Sequence, residues 1–243
     1  MRATISVIPM RSEPSERSEM CSEILFGEEI EIIEQLDKWS KIRSKRDNYE
    51  GFISNNMLPR QKINFQESCI ISTPIAYATV QGETPIILPA GSVVPEEGIT
   101  FNNKLYKIKD EDYQKRNFCE IEKVALQFLN APYLWGGKTI FGIDCSGFVQ
   151  TVFFICGRQL PRDASQQVAL GTTVDFLTEA KTGDLAFFEN ENGKIVHVGI
   201  LLNNHQIIHA SGQVKISQID NYGILSDSQN GYSHKLRIIK RMD

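Results

Sequence analysis

Cys145 stands in the run GIDCSGF, residues 142–148, directly behind Asp144 and ahead of a long apolar stretch. Aspartate is a strong N-cap residue, so this spacing puts Cys145 at the first position of a helix. Unpaired backbone N–H groups and the helix dipole there favour an anion, which lowers a thiol pKa and predisposes the sulfur to act as a nucleophile. The plain alternative is a buried thiol with Asp144 serving only as a cap. A thiol nucleophile needs a base, and the base needs a third group to orient it. Of the four histidines, His197 lies in IVHVGILL and His209 in QIIHASG, strand-like runs separated by the polar turn Asn203–Asn204. Adjacent antiparallel strands would let these two rings face each other across the ladder. Cys145, His197 and His209 are therefore the candidate catalytic set. His205 falls in the turn, and His234 follows Gly231–Tyr232–Ser233 in a loop, so both read as solvated residues. His205 and His209 have the i, i+4 spacing of a helical zinc pair. The alternation around them reads as strand, however, and no HExxH glutamate accompanies them, so neither a metal nor another cofactor is expected.

The elements that must position these residues follow from periodicity. Residues 1–60 read as short strands and turns, with Ile5–Ile8, Glu29–Gln35, Trp39–Ile42 and Gly51–Ser54 carrying β-branched or aromatic residues at strand spacing. Residues 61–112 repeat the manner, from Ser68–Val80 to Lys104–Ile108, which suggests a second small barrel. The charged stretch KDEDYQKR (109–116) suits a linker. Beyond it Cys119–Asn130 reads as a helix, and Asp144–Cys156 as a second helix that is apolar nearly all round and hence central. Strand-like runs at Leu185–Phe188, Val196–Leu202, Gln206–Ala210 and Lys235–Lys240 close the chain. Helices followed by strands indicate an α+β domain over 117–243 with an antiparallel sheet.

Composition excludes several classes. The chain has 243 residues, of which 26 are basic and 30 acidic, a net charge of −4, so no electrostatic footprint for nucleic acid is present. No run of 18 apolar residues occurs, so no membrane-spanning helix is expected. The start, MRATISVIPMRSEPSER, lacks the apolar stretch of a secretory signal, which favours a cytoplasmic location. The five cysteines (Cys21, Cys69, Cys119, Cys145, Cys156) are scattered and contain no CxxC pair. Neither a zinc ribbon nor a disulfide framework is expected, and apart from Cys145 they read as small buried hydrophobes.

The stretches NAPYLWGGKTIFGIDCSGFVQ, LPRDASQQ, TGDLAFF, VHVGILL and IIHASG, in this order and spacing, resemble the NlpC-type cell-wall peptidases, papain-like cysteine peptidases that hydrolyse peptidoglycan stem peptides. The resemblance implies Cys145 as nucleophile, His197 as general base and acid, His209 as the residue that orients His197, and Tyr133 as a helper at the oxyanion. The N-terminal EPSERSEM, FGEEIEII, WSKIRS and YEGFI resemble a bacterial SH3-like domain. Barrels ahead of such a catalytic domain are similar to the γ-D-glutamyl-L-diamino-acid endopeptidases, in which the first barrel closes one end of the site. That resemblance implies recognition of a free N-terminal L-alanine by Glu13, Tyr49, Asp144, Ser146 and Asp163 or Ser165, with Asp144 meeting the substrate ammonium. It implies a murein stem peptide as substrate and a place in cell-wall recycling. The rival readings are a secreted wall hydrolase or acyltransferase using the same Cys–His site, and a non-catalytic murein-peptide binding module.

Overall fold

The computed structural model describes residues 1–59, 63, 68–115, 119–226 and 231–242. Five antiparallel strands come first: β1 (Val7–Arg11), β2 (Met20–Leu25), β3 (Ile30–Gln35), β4 (Trp39–Ser44) and β5 (Glu50–Ser54), in the order β2-β1-β5-β4-β3. Period-two alternation turns Ile8, Met10, Ile24, Ile30, Ile42 and Ile53 into one dry core. Seven shorter strands follow: β6 (Ser68–Ile71), β7 (Ile75–Ala78), β8 (Ile86–Pro89), β9 (Val93–Pro95), β10 (Ile99–Phe101), β11 (Lys104–Tyr106) and β12 (Tyr113–Lys115). They form a β12-β6-β9 sheet and the pairs β7-β8 and β10-β11 around a shared core that includes Ile71, Leu88, Val94 and Ile99. The expected boundary between residues 60 and 61, and the expected domain start at residue 117, lie outside the described residues.

The rest of the chain is α1 (Ile121–Leu126), β13 (Lys138–Thr139), β14 (Gly142–Ile143), α2 (Cys145–Ile155), α3 (Ala164–Gln167), β15 (Thr172–Val174), β16 (Leu185–Glu189), β17 (Ile195–Leu201), β18 (Gln206–Ser211), β19 (Gln213–Gln218), β20 (Gly223–Leu225) and β21 (Tyr232–Arg241). The large sheet runs β15-β21-β16-β17-β18-β19, with β20 added to β21. Every residue of α2 is buried, as its all-round apolar sequence demands. Phe148, Val149, Val152 and Phe153 of α2 share a cluster with Leu185, Phe187, Val198, Ile200 and Ile208. The alternate strand residues, among them Ala186, Phe188, Leu201 and Ile207, build the core on the sheet's other face. This is an α+β architecture: strands alone in the N-terminal part, then helices packed on a largely antiparallel sheet.

Two expectations need correction. The first helix is shorter than 119–130: after Leu126 the chain tightens through i→i+3 bonds at Phe128 and Leu129, and Asn130 turns to φ 67°. Pro132 sits just beyond and forces an extended residue before it. Secondly, Cys119 and Cys156 are joined as a disulfide, with Cα atoms 4.8 Å apart. Thirty-seven residues separate them, and they meet because α1 packs on α2, with Phe128 edge-on to Phe148 at 5.9 Å.

Candidate active site

Asp144 caps α2 through its side chain, which accepts from Gly147 N at 2.7 Å and leaves Cys145 as the first helical residue. The thiol is 7% exposed and faces the backbone N–H groups of Ser146 and Val198. The β17–β18 ladder pairs Ile200↔Ile208 and Leu201↔Ile207 and stops short of Val198. These N–H groups lower the thiol pKa, but burial and the neighbouring Asp144 carboxylate outweigh them and push it from 9.0 up to about 11. The expected resting thiolate is therefore replaced by a neutral thiol, because the helix terminus is weaker than desolvation in so dry a place. Among the described residues no hydrogen bond joins Sγ to His197.

His197 and His209 sit on neighbouring strands, with His197 Nε2 2.9 Å from His209 Nδ1 and His209 Nε2 3.1 Å from Ser217 Oγ. They meet diagonally, across Gly199 between them. A Cβ on Gly199 would lie 2.9 Å from His209 Cβ and 2.7 Å from Ile207 Cδ1, so the missing side chain is what lets the rings approach. Burial, with two neighbouring imidazoles, holds His197 well below the usual histidine range. Cys145 and His197 are thus both neutral near pH 7. The third neighbour is His234, expected in a solvated loop but found half-buried on β21 with its ring stacked on His197. The ligand atoms of the three histidines lie within 4.8 Å of one another. Stacking, however, keeps the in-plane lone pairs of His197 and His234 from converging on one ion.

A pH dependence follows. The folded state keeps His197 neutral where the unfolded chain protonates it, so stability is lost as pH falls below about 6.5. The folded state keeps Cys145 protonated above pH 9, so stability is also lost as pH rises from about 9 toward 11. The alkaline loss is about 2–3 kcal/mol, from roughly 1.4 kcal/mol per pKa unit. Unfolding measured from pH 5 to 11 should show the alkaline decline in the wild type and a smaller one in Cys145→Ala; equal declines would remove the thiol as its cause.

Asp144 holds the largest surprise. Its carboxylate is bound by Arg162 through both terminal nitrogens (Nη1–Oδ1 3.0 Å, Nη2–Oδ2 2.5 Å), by Gly136 N at 2.8 Å and by Ser146 Oγ at 3.2 Å, besides Gly147 N. Arg162 is 1% exposed and also reaches Ser22 Oγ of the first barrel. Asp144 was expected to wait for a substrate ammonium; its lone pairs are instead filled by donors the protein supplies. Ser146 joins the same network, accepting from Arg162 at 2.9 Å.

A cavity of about 510 Å³ opens over Cys145 and is lined by residues of the first barrel and of the part of the chain that carries Cys145. Tyr133 lines it, half-buried, its phenol raised to about 12 by burial, Cys145 and Asp144, so it stays an O–H donor. Tyr49 of the barrel donates to Asp163 at 3.4 Å, and Ser165 is an exposed part of the wall. Burial raises the Asp163 carboxyl. Glu13 is exposed and does not line this cavity; Glu19 does, accepting from Trp135 Nε1 across the domain boundary. The turn after Ser12 carries Glu13 outward, where its carbonyl accepts from Ser18 Oγ. Gly136 permits the close approach of barrel and catalytic part; it has φ 80°, and a Cβ there would strike Met20 O at 2.2 Å. Sequence reasoning missed Arg162, Glu19, Trp135 and Gly199. An arginine beside an aspartate, or one more glutamate in an acidic barrel, looks like ordinary solvated charge.

The NlpC/P60 family matches residues 130–231, and the bacterial dipeptidyl-peptidase Sh3 domain matches residues 10–58. The chain is 31% identical to the γ-D-glutamyl-L-lysine dipeptidyl-peptidase of Bacillus subtilis (strain 168), over 90% of this chain and 80% of that protein. The chain belongs to the NlpC/P60 family. It is similar also to dipeptidyl-peptidase 6 of Lysinibacillus sphaericus, 26% identical over 86% and 88% of the two chains. A crystal structure of an NlpC/P60 family protein from Bacillus cereus shares the fold over 99% of this chain and 98% of the other, with a TM-score of 0.81 at 17% identity. The protein is thus a cysteine peptidase of a peptidoglycan-hydrolase family, an NlpC/P60 domain whose cleft is completed by its SH3 domain.

Proposed function

We propose that this NlpC/P60 enzyme hydrolyses the bond between γ-D-glutamate and the following L-diamino acid in murein peptides that carry a free N-terminal L-alanine. The observation that supports this most is the wall built by the barrel across one end of the cleft, where Tyr49 meets Asp163 and Glu19 meets Trp135. Such a blind end fits a short peptide terminus, and with Asp144 occupied by Arg162 the ammonium falls to Asp163 and Glu19. An acetylated terminus carries no positive charge for these two carboxylates to meet, so it would be discriminated against.

In this mechanism His197 takes the Cys145 proton as Sγ attacks the γ-glutamyl carbonyl. His209, held by Ser217, engages Nε2 of His197 and leaves Nδ1 for that proton. Backbone N–H at the head of α2, together with the Tyr133 hydroxyl, holds the oxyanion. His197 then protonates the amine of the departing diamino acid, and water, deprotonated by His197, cleaves the thioester.

Mass spectrometry of L-Ala-γ-D-Glu-L-Lys, its diaminopimelate counterpart and their N-acetyl forms tests the reading. Cleavage of the free forms with rejection of the acetylated ones is expected. Equal cleavage of both forms would overturn the amine pocket in favour of a wall hydrolase, and cleavage of neither would overturn the substrate assignment. A second reading, action outside the cytoplasm, is favoured by the Cys119–Cys156 disulfide, because such bonds persist in oxidising compartments. Alkylation of these thiols on rapid lysis of the source cells decides: free thiols support a cytoplasmic recycling enzyme, and a protected pair supports the wall side.

A further inference from the structure

His197 is enclosed by three rings. Phe188 lies 5.6 Å away and tilted, His209 lies 5.1 Å away and edge-on, and His234 lies 4.1 Å away and nearly parallel at 28°. His209 has a hydrogen-bonding task, and Phe188 belongs to the core of the sheet. His234 has neither. Its placement is nevertheless specific. It is paired with Ile224 on β20, its carbonyl closes over Gly223, Phe188 lies 5.9 Å from its ring, and its Nδ1 is 2.9 Å from Ser233 Oγ.

The geometry points to His234 as a positioning residue for His197, whose ring in its neutral form holds the base in plane and supports its positive charge, and whose protonation opposes that charge. This inference rests on the peptidase reading, because that reaction makes His197 pass through an imidazolium. A neutral aromatic face stacked on a forming cation stabilises it, whereas a second cation at the same distance repels it. The groups facing His234 are His197 on β17, His209 on β18 and Lys215 on β19; Phe188 on β16 carries no charge, and nothing in β20 titrates. Burial and the Lys215 ammonium lower its affinity for protons, which keeps the stacking face neutral near pH 7.

The test compares wild type, His234→Ala and His234→Phe. We expect His234→Ala to lower kcat about tenfold with KM changed less than twofold. His234→Phe, which keeps a flat face and removes the proton, should recover kcat to within threefold. In the wild type His234 protonates ahead of the more deeply buried His197, so the acid limb of kcat/KM should move to lower pH in His234→Phe by at least about half a unit. Wild-type kcat in His234→Ala, or an unmoved limb in His234→Phe, overturns the inference; a purely structural residue would change the unfolding temperature without moving that limb. An independent measurement separates this from the peptidase reading. NMR titration of His197 in the Cys145→Ala background should give a higher midpoint once His234→Phe is added, whether or not the wild type cleaves any peptide offered. A wild type without turnover overturns the substrate reading alone, while an unchanged His197 midpoint overturns the role of His234.

Discussion

Replacing Cys145 by alanine is expected to lower peptide turnover by about 10⁴-fold or more, with the fold intact. The magnitude follows from how nucleophile and base act as a unit, so that removing one forfeits nearly everything the pair contributes. No nearby group can substitute. Cys21 lines the same cavity, but its thiol is raised to about 11 by burial and donates to Met10 O at 3.4 Å, with no histidine among the groups that act on it. Cys21→Ala should therefore keep its chemistry. Since Cys145 is a small side chain at a helix start, losing its sulfur should cost only about 1 kcal/mol of stability. Steady-state assays with mass-spectrometric product detection, beside circular dichroism, check both halves. Turnover within tenfold of wild type in Cys145→Ala, or its loss in Cys21→Ala, would refute the assignment of the nucleophile.

The second large effect concerns Arg162→Met. Its guanidinium is almost wholly buried and neutralises Asp144, which is 5% exposed. Removing the cation strands a buried carboxylate, and breaking such pairs costs about 3–5 kcal/mol. Two further consequences follow from the same side chain. The thiol of Cys145 loses one of the charges that lowers its pKa, and the catalytic part loses its tie to Ser22 on β2. Activity should therefore fall with stability. The double variant Asp144→Asn with Arg162→Met removes both charges and should recover much of the stability, while leaving the cap through Asn oxygen. Urea unfolding followed by tryptophan fluorescence reads the difference; a single variant within 1 kcal/mol of wild type would show that the pair is not what holds the cleft together.

Much of the site was legible because its signals are local. Asp144 before an apolar run is a cap whatever surrounds it, and it carries Cys145 to the head of α2. Two histidines in alternating runs joined by a polar turn belong on neighbouring strands, and the 2.9 Å contact of their rings follows from that topology together with Gly199. Capping and alternation depend on neighbours within a few residues, so sequence by itself determined most of the elements, the α+β arrangement and the meeting of His197 with His209.

Tertiary structure decided what each charged group faces. Arg162 meets Ser22 across 140 residues, Trp135 meets Glu19 across 116, and Tyr49 meets Asp163 across 114. No periodicity encodes those partners, because an exposed and a buried arginine look alike in a chain. The folded protein makes Asp144 an occupied anchor instead of a waiting acid, lines the cavity with Glu19 and leaves Glu13 outside it, joins Cys119 to Cys156, and lifts the Cys145 thiol to about 11 against the helix terminus. The disulfide follows from the packing of α1 on α2; the others are set by desolvation and by charges brought close as the elements dock, and such forces exist only once the surfaces have met.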